Sequence, residues 1–138
     1  IYDIARSILE GNGFSGGMCY SFESPKVFDK LLLPADSIYR KAITIANPLG
    51  EDFSIMRTVS LNGMLTSLAT NFNRKNKVAR LYEFGNVYLP KQLPLTELPE
   101  ERMKLTIGMY GEGNFFNLKG VILQQSIRSC IRVVRQIS

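Results

Sequence analysis

The side chains able to do chemistry are few, and the most versatile one is missing: the 138 residues contain no histidine. Without an imidazole, proton transfer near neutral pH falls to a carboxylate or lysine retuned by its surroundings. A Cys/His zinc site is excluded for the same reason. The two cysteines, Cys19 and Cys130, form no CxxC pair and cannot complete a four-ligand cage. Both lie in apolar patterns and read as buried, reduced thiols, which points to the cytoplasm.

Glu83 stands inside the apolar run Val78 to Leu89, and a carboxylate in a covered strand needs a partner. It reads as a structural carboxylate paired with Arg57 or Arg80; a catalytic base, or a solvated or interface-facing acid, is the alternative. Arg57 reads as a structural arginine whose fork of hydrogen bonds ties the Asn47-Pro48 turn to the helix beginning at Leu61, with a phosphate or RNA contact as the sharper alternative. Gly111-Glu-Gly113 lacks the lysine and the strand–loop–helix context of a phosphate loop and reads as a turn. Lys119-Gly120 follows a Phe-Phe pair at a helix start. Its lysine could bind an anion, but a stem laid over apolar surface is the plainer reading. Arg128, Arg132 and Arg135 fall at i, i+4 and i+7, as a solvated helix face or an RNA-touching row would.

The elements that must position these residues follow from periodicity. Ile1, Ile4, Ala5, Ile8 and Leu9 recur at helical spacing and stop at Gly11 and Gly13. Gly17 to Phe22 reads as a strand. Ser24-Pro25 opens a short helix running to about Leu32, ended by Pro34. Lys41 to Ala46 alternates as a strand before the Asn47–Gly50 turn. Leu61, Met64, Leu65, Leu68, Ala69 and Phe72 form one helical apolar stripe, with Ser60 as its N-cap and the cations of Asn73–Lys77 near its negative end. Val78 to Leu89 is apolar on both faces, the mark of a central strand. A 12-residue loop punctuated by Pro90, Pro94 and Pro99 leads to a strand from Lys104 to Tyr110, and a long helix runs from Leu118 to Ile137. Two late strands joined by a loop require antiparallel pairing. The expected class is α+β: one antiparallel sheet, with long helices packed mostly on one face.

Hydrophobic residues make up 45% and charged residues 21%, a globular composition, and a single domain of this length can bury a sufficient core. No apolar run is long enough to span a membrane, and the first residues lack the features of a secretory signal. The chain opens in mid-helix without a methionine, which reads as a fragment of something longer. Seventeen basic against twelve acidic residues give a net charge of +5, which suits RNA but equally an ordinary solvated surface.

Four segments together resemble the core of the phenylalanyl-tRNA synthetase β-subunit family. They are Gly13-Phe14 before Tyr20-Ser21-Phe22; Asn47-Pro48-Leu49 with Met56-Arg57-Thr58 and the Leu61–Asn71 helix; Leu81 to Tyr88; and Phe115 to Gly120. They occur in the family's order and span nearly the whole chain. Asn62 departs from the proline frequent in the family, and the turn between Tyr110 and Phe115 is short.

The resemblance implies a fold like the class II synthetase catalytic domain, here one core domain over residues 1–138. It also implies that the chain is catalytically silent. In catalytic members the first helix and strand form a dimer-interface element whose strand carries a proline, where this chain has Tyr20. A second strand ends in Phe-Arg-x-Glu, whose arginine grips the ATP α-phosphate. Here Leu89 takes the arginine's place and Lys91 the glutamate's. Leucine offers no charge to a phosphate that gains negative charge, and Pro90 lacks even a backbone donor. A third, Gly-rich motif ending in arginine is not found before Ser138. The implied role is a scaffold-like domain that associates with the α subunit, which performs the chemistry with ATP, Mg²⁺ and phenylalanine, and that meets tRNA only through the full complex. No cofactor, metal, membrane or small-molecule ligand is expected of the chain itself. Asn47, Pro48, Arg57, Glu83, Gly85, Lys119 and Gly120 are its signature residues, and Tyr2, Ile8, Phe14 and Tyr20 its candidates for the association surface, each of which could equally be core. An independent RNA-binding module and a degenerate regulatory domain binding an amino acid or nucleotide are the rival readings.

Overall fold

The computed structural model describes residues 2–129 and, for side chains, those up to Gln124. Helix α1 (Tyr2–Gly11) buries Ala5, Ile8 and Leu9 along one side. It stops where Gly13 takes a φ of +78°, a left-handed conformation that costs little without a Cβ. That turn lets the Gly13 and Phe14 amides return to the Glu10 and Leu9 carbonyls at 2.9 and 3.0 Å.

The stretch expected as a strand from Gly17 to Phe22 is instead extended chain between two short ladders. These are β1 (Ser15–Gly16), parallel to β4 (Ala79–Leu89), and β2 (Phe22–Glu23), antiparallel to β3 (Ile55–Met56). The short helix α2 (Val27–Lys30) is smaller than expected. Ser24 and Pro25 do not hold the expected N-cap and first helical positions, since the helix begins at Val27 after Lys26; the Ser24 hydroxyl accepts from the Lys26 amide at 3.4 Å. The Lys41–Ala46 strand reduces to a single bridge, Thr44 to Ile55. Phe28, Val27 and Ile55 pack there as a small satellite core.

Helix α3 (Leu61–Asn73) occupies the predicted span, but two expectations about it fail. Ser60 does not cap it, because its hydroxyl is engaged by Thr106 at 2.5 Å. Nor is the apolar stripe buried: Met64 is covered, whereas Leu61, Leu65 and Phe72 stay 45–65% exposed. Lys75, at φ +65°, supplies the turn that ends the helix.

Strands β4 and β5 (Glu100–Tyr110) make an eleven-pair antiparallel hairpin, from Ala79↔Tyr110 to Leu89↔Glu100. β5 thus starts four residues earlier than expected. The sheet order is β1-β4-β5, which leaves the far edge of β5 unpaired among the described residues. Helix α4 (Phe115–Ser129) follows.

The fold is α+β, with a mixed sheet whose principal pairing is antiparallel. The helices are not gathered on one face. Alternation along β4 sends Tyr82 and Phe84 to one side, where with Leu105, Ile107 and Met109 they meet Leu9 and Phe14 and, from α4, Leu118 and Val121. Glu83 and Gly85 face the other side, where α3 lies so close to β5 that a Cβ on Gly108 would meet Leu68 and Met64. A strand covered on both faces needs helices on both, which is the physical reason for the correction.

Candidate functional site

Arg57 leaves β3 and passes beneath α3 onto β4. Its Nη1 donates to Glu83 Oε1 at 3.0 Å and its Nε to the Asn86 carbonyl at 2.7 Å. Its backbone is held too: the amide donates to Ser21 O at 2.8 Å, and the carbonyl accepts from Tyr88 N at 3.0 Å. The two side chains are 3% and 1% exposed, so this is a buried ion pair between the small ladder and the large hairpin. Gly85 makes room for it, since a Cβ there would overlap the Arg57 guanidinium.

Of the two partners the sequence offers for Glu83, the structure pairs it with Arg57. Arg80 instead donates to the Asn12 and Glu112 carbonyls. Arg57 does not tie down the Asn47-Pro48 turn: both residues are exposed, and its hydrogen bonds go to β4. The reason is burial, because a guanidinium this deep must go where an acceptor is equally deep.

Glu83 Oε1 also accepts from the Cys19 amide at 3.0 Å. Cys19 is half-buried, not fully buried as its pattern suggested. Burial, reinforced by the Glu83 charge, raises its thiol pKa, so it is a poor nucleophile. Cys130 lies outside the described residues.

Leu89 is half-buried at the end of β4. Lys91 is exposed and pairs with Glu97 at 3.1 Å. Leu89 offers no charge to a phosphate, and no group of three His, Cys, Asp or Glu able to hold a metal occurs among the described residues. Lys119 and Gly120 sit in the second turn of α4, exposed, and so not at a helix start. Arg132 and Arg135 lie outside the described residues, as does the Arg128 side chain.

Of the four surface candidates, Ile8 and Phe14 are 6% and 5% exposed and belong to the core. Tyr2 and Tyr20 remain outside. Tyr2 stands edge-on to Phe84 and Tyr20 edge-on to Phe53, so each ring is oriented while presenting much of its face.

A second polar site lies at residues not singled out above. Glu23 is buried, and its Oε1 accepts from Asn62 Nδ2 at 3.0 Å. Burial raises its carboxyl pKa, with Asn62, Arg57 and Lys30 opposing. The available signals were Asn62 replacing the family's proline and an acid directly after Phe22 in a β-rich stretch.

Comparison with known proteins gives the chain a family. Residues 1–130 match the family described as phenylalanyl tRNA synthetase beta chain CLM domain. The chain is 49% identical over 122 residues to the phenylalanine–tRNA ligase beta subunit of Clostridium acetobutylicum. It is 51% identical over 120 residues to that of Clostridium tetani, and 39% identical over 129 residues to that of Geobacter metallireducens. These alignments cover 88%, 87% and 85% of this chain but only 15–16% of each relative. The molecule has an α+β fold, and the relatives it matches are beta subunits of aminoacyl-tRNA synthetases. The chain belongs to the phenylalanyl-tRNA synthetase β-chain CLM-domain family.

Proposed function

We propose that this chain is a single, catalytically silent scaffold domain within a phenylalanine–tRNA ligase β chain, built on a framework like a class II synthetase catalytic domain. It supports the attachment of phenylalanine to its tRNA by associating with an α chain that carries out the ATP- and Mg²⁺-dependent chemistry in the cytoplasm. The observation that carries this reading is the end of β4. By resemblance to catalytic relatives, Leu89 and Pro90 fall where adenylate formation needs a cation and Lys91 where an acid would be, and Lys91 pairs with Glu97.

Exposed apolar surface supports the associating role. Tyr2 and Ile4 on α1, Leu61, Leu65 and Phe72 on α3, and Phe115 and Phe116 on α4 are between 45% and 73% exposed, apolar side chains available to a partner. Tyr2 and Tyr20 are the side chains we assign to the α-chain contact, and tRNA is met through the assembled complex.

The test is co-expression with the cognate α chain. The two chains should co-purify, and Tyr2→Asp with Tyr20→Asp should weaken the association while leaving the circular dichroism of this chain unchanged. Phenylalanine-dependent ATP–pyrophosphate exchange by the chain alone should be at background. Exchange above background, or no association with the α chain, refutes the proposal.

A further inference from the structure

The ion pair accounts for only part of the buried charge. Glu23, Glu83 and Arg57 lie within electrostatic reach of one another, and Lys30, which lines the same groove, acts on Glu23 as well. Three buried acceptor atoms in this cluster have no hydrogen-bond partner among the described residues: Glu23 Oε2, Glu83 Oε2 and Asn62 Oδ1. Unmet buried acceptors call for a hydrogen-bond donor, and a charged donor bonds a carboxylate most strongly.

Above them opens a groove of about 530 Å³ between α3, α2 and the chain around Tyr20. Glu23 and Asn62 line it, with Tyr20, Phe22, Phe53 and Thr66 among its walls. Those walls are apolar and partly exposed: Phe22 and Phe53 are 38% and 37% accessible, Tyr20 76%. The cations at its rim are partly engaged, Lys26 lying 3.7 Å from Glu51.

We propose that this groove is a binding site for a small organic cation, a primary ammonium on an apolar body. The ammonium meets Glu23 and Asn62, and the body lies against Phe22, Tyr20 and Phe53. An ammonium supplies three donors to these acceptors, and aromatic faces attract cations as well as covering hydrocarbon. A bare metal ion suits the site less, since the carboxylates do not converge into a ligating cluster. The site stands apart from the strand end at Leu89 and shares only Tyr20 with the α-chain contact proposed above, so the isolated chain is where it is open to a ligand; it departs from the sequence's expectation of no small-molecule ligand.

The probe is benzylammonium, titrated into the 138-residue chain by calorimetry or by amide-shift NMR, with benzyl alcohol as the neutral body of the same shape. Saturable binding with a dissociation constant on the order of 1 mM or tighter, absent for benzyl alcohol, is expected. Glu23→Gln should weaken it by about tenfold or more, the size of one charge-assisted hydrogen bond. Thr66→Lys, at an exposed position on the groove wall, should abolish binding and leave the thermal unfolding midpoint in place. Equal binding of benzyl alcohol, absence of saturation, or indifference to both substitutions overturns the proposal. A Glu23→Gln variant that fails to fold leaves Thr66→Lys to decide it.

Discussion

Replacing Arg57 with alanine should be among the most damaging single changes available to this fold. The substitution strands Glu83, which is 1% exposed, with the Cys19 amide as the one donor left to it among the described residues. Removing one member of a buried pair typically costs about 3–5 kcal/mol, because the remaining charge stays desolvated. Losing the 2.7 Å bond to the Asn86 carbonyl adds about 1 kcal/mol, giving roughly 4–6 kcal/mol in all. A chain of this length is expected to have a total stability on the order of 7–20 kcal/mol, so the variant should unfold at much lower urea or fail to fold. The measurement is urea denaturation followed by far-ultraviolet circular dichroism, with the double variant Arg57→Met/Glu83→Leu alongside. The double variant should cost clearly less than Arg57→Ala alone, since it leaves no orphaned charge. If Arg57→Ala stays within about 1 kcal/mol of the parent, a desolvated pair of this kind is not present and the reasoning fails.

Three further outcomes can be checked with the same apparatus. Gly85→Ala drives a Cβ into the Arg57 guanidinium, and the buried pair has little room to retreat, so a loss of about 1–3 kcal/mol is expected. Leu9→Ala removes a side chain with 0% exposure from between α1 and the sheet and should cost about 2–5 kcal/mol in a denaturant titration. Glu23→Gln probes linkage. Because burial raises the folded-state pKa, the folded form holds its proton more tightly than the unfolded one. The contribution of Glu23 to stability is therefore fully present below the ordinary glutamate pKa and is lost as pH rises through the elevated folded value. The glutamine variant should accordingly be the more stable of the two at neutral pH, and its advantage should shrink on acidification. A difference independent of pH would show that Glu23 does not titrate in this way.

What could be read before the structure was local. The spacing Leu61–Phe72 placed α3, and the two-sided apolar run to Leu89 placed β4, because helical and strand periodicities are written in adjacent residues. Which face each helix covers was not legible. That depends on how β4 and β5 register and on the room left by Gly108, neither of which leaves a periodic trace. Arg57 and Glu83 were singled out from residue type alone, since charges inside apolar segments are costly. Gly85 was picked out by family likeness, and only the geometry gives its reason. The role assigned to Arg57 failed because a single sequence names the charges that must be satisfied but not which buried acceptors they reach. Glu23 escaped notice because β2 is only two residues long, too short to display an alternation that would mark one side as interior.

The outer rim of β5 has a consequence for handling the molecule. Its first half, Glu100 to Lys104, carries four charged side chains of both signs, which disfavour the approach of another flat chain. Its second half, Leu105 to Tyr110, has none, and its main-chain groups on that side are as open to a stranger as to a natural neighbour. In concentrated solution, self-association should begin at those six residues.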